Sequence, residues 1–161
     1  YFVFQGPAGI TGRLSDFGGS MTFPKPIDVI PHRDPFLFLT EVTNLSISES
    51  AEGYWQLSLD EDFFVGHFPE LPTLPGVLMC ESIAQLGAYT LLSDPNFEGF
   101  LPLFGGLDNV RFRRKVSPGE RLELSVELSK ISARGGKGHG EARVDGELAC
   151  SCDLMFIFAT V

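Results

Sequence analysis

Apolar and polar residues alternate along most of this chain, with one long apolar interruption. Residues 42–47 and 50–59 alternate on either side of a Ser48-Glu49 turn, and together they predict a β-hairpin. After Gly105 the alternation returns in four segments, at residues 107–115, 121–131, 138–144 and 148–160. Turn sequences separate these segments at residues 117–119, at Gly135-Gly136 and at Asp145-Gly146. The pattern therefore predicts about six antiparallel strands.

The interruption predicts a helix over residues 77–92, between the second and third strands. Its residues with polar side-chain atoms are Glu81, Ser82, Gln85, Tyr89 and Thr90. Pro75 suits a first helical turn because its missing N–H has no intrahelical partner there, and residues 93–96 give a stop signal. Such an apolar helix must be covered by protein on most of its circumference. One antiparallel sheet covers it only by curling round it, which predicts an α+β fold.

The body of the chain has the size of one domain. Residues 1–20 are expected to be a vector-derived leader, because Phe4-Gln5-Gly6-Pro7 resembles the scar of a protease cleavage site. Residues 21–161 suit a single domain with a sizeable core. No membrane span is predicted, because Glu81 and Gln85 interrupt the one long apolar segment.

Charge and cysteine content exclude some classes of function. A net charge of −9 argues against general nucleic-acid binding. The three cysteines comprise one on the predicted helix and two that alternate onto one strand face, namely Cys80, Cys150 and Cys152. They are expected to be small buried residues in a reducing compartment. Since further thiols or imidazoles at ligand spacing are missing from the sequence, no metal site is predicted.

Two titratable residues stand out as candidates for chemistry. His67 lies in the tight, proline-bounded loop of residues 66–69, and Glu81 lies inside the apolar helix. A carboxyl group in such surroundings is costly unless it is paired or protonated, so Glu81 is either a satisfied structural acid or a reacting one. A lone loop histidine is also often structural. We expect His32 to help form a turn and His139 to be exposed or structural.

Several motifs together resemble the FabZ-type beta-hydroxyacyl-acyl carrier protein dehydratases, in order from about Ile27 to Phe158. They are Ile30-Pro31-His32-Arg33-Asp34-Pro35-Phe36, Gly66-His67-Phe68-Pro69, Leu74-Pro75-Gly76-Val77-Leu78 with Glu81 and Ala84-Gln85, and Arg111-Phe112 before Pro118-Gly119. The chain departs from the family at Asp34, where an aromatic residue is usual, and at Thr40-Glu41, where an Asp-Arg pair is common. The resemblance implies a hot-dog fold, in which an antiparallel sheet wraps a central helix.

The resemblance also implies a reaction. The family dehydrates (3R)-hydroxyacyl-[acyl carrier protein] to the trans-2-enoyl form, in the cytoplasm, during fatty-acid or related acyl-chain biosynthesis and without a metal or redox cofactor. Removing water from such a thioester requires a base for the Cα proton, an acid for the leaving hydroxyl and stabilisation of the thioester oxygen. His67, Glu81 and the amides at the helix start are expected to supply these in that order.

Binding residues follow from the same resemblance. Those expected to contact substrate are Phe64, Val65, Gly66, Pro75, Gly76 and Gln85. The acyl tunnel should be lined by the helix face and by residues 63–64 and 97–104. The basic cluster of Arg111, Arg113, Arg114 and Lys115 is either a solvated sheet face or the docking surface for the acidic carrier protein. The family implies homodimers with composite sites, the His of one chain facing the Glu of the other, and often hexamers.

Two other functions remain open at this point. An acyl thioesterase on the same scaffold would use the helical acid to activate water and would have no special use for His67. A non-catalytic sensor of acyl thioesters would bind without turnover.

Overall fold

The computed structural model describes residues 22–160, which form one antiparallel sheet and one long helix. In chain order the elements are α1 (Pro26–Val29), β1 (Glu41–Ser46), β2 (Ser50–Gln56), α2 (Asp62–Gly66), α3 (Gly76–Leu92), a 3-10 turn (Pro95–Phe97), β3 (Phe100–Phe112), β4 (Arg121–Ser132), β5 (Gly135–Val144) and β6 (Glu147–Thr160). The expected leader at residues 1–20 lies outside the described residues.

The sheet has six strands in the order β1-β2-β4-β5-β6-β3, all paired antiparallel. The predicted strand number and the α+β hot-dog arrangement are therefore confirmed. β1 and β3 are the edge strands, and β3 pairs only with β6 within residues 22–160. The Asp145-Gly146 turn has φ values of 50° and 80°, which is the left-handed backbone that a two-residue hairpin loop needs.

Helix α3 forms the centre of the core, as its apolar sequence predicts. Twelve of its seventeen residues are buried. The sheet approaches it so closely that a methyl group at Gly140 would overlap the side chain of Ile83. A glycine in the middle of β5 thus lets the backbone of the sheet come up against the helix.

The buried polar atoms of α3 find partners within the protein. The hydroxyls of Ser82 and Thr90 donate to the carbonyls of Met79 and Leu86, one turn earlier in the helix, at 2.9 and 2.8 Å. The hydroxyl of Tyr89 donates to the carbonyl of Pro24 at 2.8 Å. These bonds allow polar residues to be buried without an unsatisfied group.

Several element boundaries differ from the predictions, among them the end of β2, which lies at Gln56 rather than at residue 59. β3 starts at Phe100 rather than at residue 107, because the segment predicted as a link pairs with the end of β6, for example Phe104 with Phe156. β3 also ends at Phe112, three residues early. The turn before β5 is formed by Ala133 and Arg134. The two glycines that were predicted to form it, Gly135 and Gly136, belong to β5. A side chain at Gly135 would overlap the backbone of β6, so glycine serves close strand packing there.

No helix in the described part of the chain is long and apolar enough to cross a membrane.

Candidate active site

Glu81, the sixth residue of α3, lies at a small cavity between the helix and the end of the sheet. The cavity measures about 40 Å³, and its other lining residues are His32, Ala84, Gln85, Ala88, Pro102, Phe104 and Phe156. The side chain of Glu81 is 20% exposed. The carboxyl group is therefore partly withdrawn from water, beside mainly apolar walls. The space suits one water-sized group and is too small for an acyl chain.

Gln85, one turn after Glu81, fixes the orientation of the carboxyl group. Its side-chain oxygen accepts the backbone N–H of Phe38 at 2.7 Å, and that N–H can only donate. The amide nitrogen must then point the other way, where it donates to Oε1 of Glu81 at 3.0 Å and to the carbonyl of Phe36 at 3.1 Å. Gln85 is 1% exposed. Gln85 was expected to contact substrate. In the structure it is buried, and its side chain holds the carboxyl group of Glu81.

His32 is the imidazole that the chain itself brings to Glu81. Its Nε2 lies 3.5 Å from Oε1 of Glu81, and its Nδ1 is buried with no hydrogen-bond partner within residues 22–160. The guanidinium of Arg33 donates to the carbonyls of Ile30 and His32 at 2.8 and 2.6 Å, which braces the predicted turn. Sequence reasoning gave His32 only a turn-forming role. The motif around it was visible in the sequence, but its distance from Glu81 was not.

His67 follows directly after α2, in a loop held by backbone contacts. Its N–H donates to the carbonyl of Phe63 at 2.8 Å. Its Nδ1 lies 2.6 Å from the carbonyl oxygen of Thr73. Because a carbonyl can only accept, Nδ1 must carry the proton, and in the neutral ring Nε2 then bears the free lone pair. Thr73 was missed by sequence reasoning, since a backbone acceptor has no residue-specific signal.

The next residue, Phe68, turns the loop and covers the imidazole. Its backbone has φ of 58°, an uncommon left-handed conformation for a bulky side chain. Its ring centroid lies 4.1 Å from that of His67. The backbone conformation thus places an aromatic ring against one face of the imidazole.

His67 and Glu81 do not share the small cavity of a single chain. Two wall residues of that cavity, Pro102 and Phe104, belong to β3, an edge strand of the sheet. This strand carries exposed apolar side chains, among them Leu103, Phe104, Leu107 and Phe112 at 38–52% exposure. The carboxyl group therefore lies beside an uncovered edge of the described part of the chain, and the imidazole lies elsewhere.

The start of α3 leaves backbone donors uncapped. Pro75 precedes the helix and supplies no side-chain cap. At Gly76 a Cβ atom would lie 2.8 Å from the ring of Phe112, so a larger residue would require that ring to move. Val77 is 67% exposed. The first amides of the helix can therefore bind an oxygen atom with partial negative charge.

The remaining expected substrate contacts differ in exposure. Phe64 is buried and its ring packs against that of Phe63, with centroids 4.7 Å apart. Val65 is 79% exposed and Gly66 is exposed beside it. Of the two stretches expected to line a tunnel, residues 97–104 contribute to the cavity at Glu81 and residues 63–64 do not. Phe64 thus lies in the core, while Val65 and Gly66 are exposed.

The basic cluster divides into one paired and three exposed cations. Arg114 donates to both carboxylate oxygens of Glu120 at 2.8 and 3.0 Å and to Glu147 at 3.0 Å. These bonds raise the pKa of Arg114 and lower the pKa of Glu120. The other three members, Arg111, Arg113 and Lys115, are exposed. These three residues were expected to share one face of a strand. Because β3 ends at Phe112, only Arg111 lies in the strand.

The thiols and acidic groups show no metal-binding arrangement. Cys80, Cys150 and Cys152 are buried, and the sulfur atoms of the first two lie 3.8 Å apart. Within residues 22–160 no group of three or more His, Cys, Asp or Glu side chains is arranged to hold a metal ion.

Comparisons with known proteins agree on one family. The family model of the FabA-like domain matches residues 30–153. A 3-hydroxyacyl-[acyl-carrier-protein] dehydratase FabZ from Clostridium botulinum strain Okra is 46% identical over 129 residues, which cover 80% of this chain and 90% of the relative. The protein of the same name from Bacillus velezensis is 45% identical over 129 residues, covering 80% and 92%.

A solved structure supports the fold. A chain of the dehydratase heterocomplex ApeI:P from Xenorhabdus doucetiae matches with a TM-score of 0.73 and 20% sequence identity, over 86% of this chain and 93% of that chain. At this identity the similarity concerns the fold alone.

Proposed function

The chain belongs to the FabA-like domain family, and we propose that it works as a 3-hydroxyacyl-[acyl-carrier-protein] dehydratase with His67 as its base and Glu81 as its acid. The reaction removes water from a (3R)-hydroxyacyl thioester and leaves the trans-2-enoyl thioester, in fatty-acid or related acyl-chain biosynthesis. The observation that carries the assignment of roles is the bond from Nδ1 of His67 to Thr73, because it leaves Nε2 able to accept a proton.

His67 takes the proton from Cα of the substrate. The electron pair of that C–H bond forms the new double bond to Cβ. As the ring becomes an imidazolium, the carbonyl of Thr73 remains hydrogen-bonded to Nδ1 and stabilises the positive charge. The ring of Phe68 restricts the imidazole to one orientation.

Glu81 gives a proton to the hydroxyl on Cβ, which leaves as water. Its Oε1 is held by Gln85, so Oε2 is the oxygen available to carry and deliver the proton. The carboxylate formed in this step recovers a proton when the imidazolium releases the one taken from Cα, directly or through water. The walls formed by Ala84, Ala88 and Phe104 keep bulk water from competing for that proton.

The thioester oxygen gains partial negative charge while the Cα proton leaves. The uncapped amides at the start of α3 lie at the positive end of a seventeen-residue helix and suit this charge. Gly76 carries no side chain, and the ring of Phe112 packs into the space that a Cβ atom would need beside these amides.

For the assembly, we propose a homodimer whose sites combine His67 of one subunit with Glu81 of the other. The cavity at Glu81 is too small for substrate, and His67 does not border it. Among the described residues, the edge strand beside that cavity pairs on one side only and has exposed apolar side chains, and a second copy would cover both features. The hexamer and the cytoplasmic location stay predictions from the family resemblance.

Mixing two inactive variants tests the composite site. In a heterodimer of His67→Ala and Glu81→Gln subunits, one of the two composite sites keeps both groups. Random pairing should therefore restore about a quarter of wild-type activity. Sites confined to one chain would always lack one group, so co-expressed variants that stay inactive while forming dimers would refute this assembly.

For carrier-protein docking, we propose a smaller set of residues than the sequence analysis named. We propose that Arg111, Arg113 and Lys115 meet the acidic carrier protein, because their side chains are exposed. Arg114 is already bound to two carboxylates and is excluded from the docking set. Replacing the three exposed cations should raise KM for carrier-protein thioesters more than for coenzyme A thioesters.

An assay of products separates dehydration from its rivals. We expect 3-hydroxybutyryl thioesters to yield the absorbance of a conjugated enoyl thioester without release of thiol. Release of thiol instead would indicate a thioesterase. Tight binding without either product would indicate a sensor. Assays over a series of chain lengths would then define the preferred acyl group.

A further inference from the structure

The contact between His32 and Glu81 has no role in the mechanism above. Nε2 of His32 lies 3.5 Å from Oε1 of Glu81, and the two residues are 26% and 20% exposed. They come from distant parts of the chain, the turn after α1 and the second turn of α3. We propose that His32 is a positioning residue that, together with Gln85, holds Oε1 of Glu81 and so reserves Oε2 for the reacting proton. This inference rests on the proposed role of Glu81.

The surroundings of the His32 ring select one tautomer. Nδ1 is buried and has no partner among the described residues. A proton on Nδ1 would create a buried N–H without an acceptor, which folded proteins rarely tolerate. A proton on Nε2 instead points a donor at the carboxyl group. The ring is therefore built to present Nε2–H to Oε1 of Glu81.

The tautomer also separates His32 from the role of a base. A base needs a free lone pair that reaches the substrate. The lone pair of His32 is on the buried Nδ1, whereas His67 has its Nδ1 bound to Thr73 and its Nε2 free. The two histidines thus have opposite tautomers, one that donates towards the acid and one that accepts a proton.

The two donors on Oε1 decide which carboxyl oxygen reacts. Gln85 already donates to Oε1 at 3.0 Å. The distance of 3.5 Å from His32 is longer than a normal hydrogen bond, and such contacts often tighten when substrate binds. An oxygen that accepts two N–H groups is the carbonyl oxygen of a carboxylic acid, so the acidic proton is on Oε2. Without His32 the group can rotate and present the wrong oxygen.

Isosteric variants of His32 test the proposal. The amide nitrogen of glutamine reaches about as far as Nε2 of histidine, whereas that of asparagine reaches only as far as Nδ1. We expect His32→Gln to keep kcat within about 3-fold of wild type and His32→Asn and His32→Leu to lower it about 10- to 100-fold, with KM changed less than about 3-fold. Each variant is compared at equal folded concentration, checked by Tm and dimer content.

Every other outcome overturns the inference. Equal activity in all three variants would show that no donor is needed. Equal loss in all three, or loss confined to KM or to Tm, would show that the ring serves packing or substrate binding. Glu81→Gln is measured in parallel to separate the two proposals. If it is inactive while His32→Leu is fully active, only the role of His32 fails; if it is active, the proposed role of Glu81 fails first.

Discussion

The two groups that we propose to react, Glu81 and His67, are held by different kinds of structure. Glu81 is on the buried central helix, and its carboxyl group contacts Gln85 and faces His32. His67 is in a loop after a five-residue helix, and its ring is oriented by one backbone carbonyl and one neighbouring phenylalanine. The acid is thus placed by the core of the fold and the base by local loop geometry.

Their surroundings differ in the same way. Gln85, which holds Glu81, is 1% exposed, and its side-chain oxygen and nitrogen both have hydrogen-bond partners within the subunit. Around His67 the side chains of Val65, Phe68 and Leu71 are 79%, 60% and 56% exposed. We expect a partner subunit or the substrate to cover this exposed apolar loop surface. Removing the buried contacts of Gln85 should therefore affect stability together with activity, whereas removing the His67 side chain should affect mainly activity.

Removing either reacting group should have the largest effect on turnover. Glu81→Gln keeps an acceptor for Gln85, and His67→Ala removes a side chain outside the main core. We expect each to lower kcat about 10²- to 10⁴-fold, because each removes one proton transfer. Tm should stay within about 4 °C of wild type.

The double variant of these two residues gives the control. Groups that act in one step lose most of their contribution together, so the double variant should be little slower than either single one. Folded single variants with kcat within a few-fold of wild type would contradict the assigned roles.

Gln85→Leu should show most clearly how the surroundings of Glu81 differ from those of His67. It removes the acceptor of the buried Phe38 N–H and the donor to Glu81. An unsatisfied buried donor costs about 1–3 kcal/mol of unfolding free energy. We also expect kcat to fall about 10-fold because the carboxyl group loses a fixed orientation. Urea unfolding and steady-state kinetics measure the two effects.

Ser82→Ala is the matched control for Gln85→Leu. Ser82 is also buried on α3, but its hydroxyl bonds only the helix backbone. Its removal should change neither kcat nor stability by much. A drop in kcat equal to that of Gln85→Leu would mean that the helix as a whole, and not Gln85, orients the acid.

The same division explains what the sequence can predict. The strands and the central helix follow from alternation and apolar length, and the partial burial of Glu81 follows from its place in that helix. The partners of the reacting groups do not follow. His32 meets Glu81 only because of the path that residues 30–38 take across the helix, and the Thr73 carbonyl is a backbone atom. Likewise, the sequence shows Arg114 as a member of a basic cluster, and it does not show that Arg114 is paired with Glu120 and Glu147.

Phe68 tests the surroundings of His67 with two matched substitutions. Both Phe68→Ala and Phe68→Gly remove the ring beside His67, so each should lower kcat about 3- to 10-fold. They differ in stability because the backbone φ of 58° suits glycine. The glycine variant should be more stable than the alanine variant by about 1 kcal/mol. Equal unfolding free energies for the two variants would contradict strain at this position.

The Arg114–Glu120 pair contacts neither Glu81 nor His67, and changing it should have the smallest effect on stability and activity. The hydrogen bond from Arg114, with that from the Ser117 backbone, lowers the pKa of Glu120 in the folded state. Such a carboxyl group stabilises the fold above its unfolded pKa of about 4.3, and this contribution is lost as pH falls through the lower folded pKa.

Glu120→Gln should therefore reduce the unfolding free energy at about pH 7 by about 1 kcal/mol and reduce the loss of stability in acid. kcat and KM for carrier-protein thioesters should not change, because Arg114 still donates to Glu147 and is outside the proposed docking set. Unfolding curves between about pH 3 and pH 7 measure the first effect, and kinetics the second. A fall in KM for carrier-protein thioesters in the Glu120→Gln variant would instead indicate that Arg114 belongs to the docking surface.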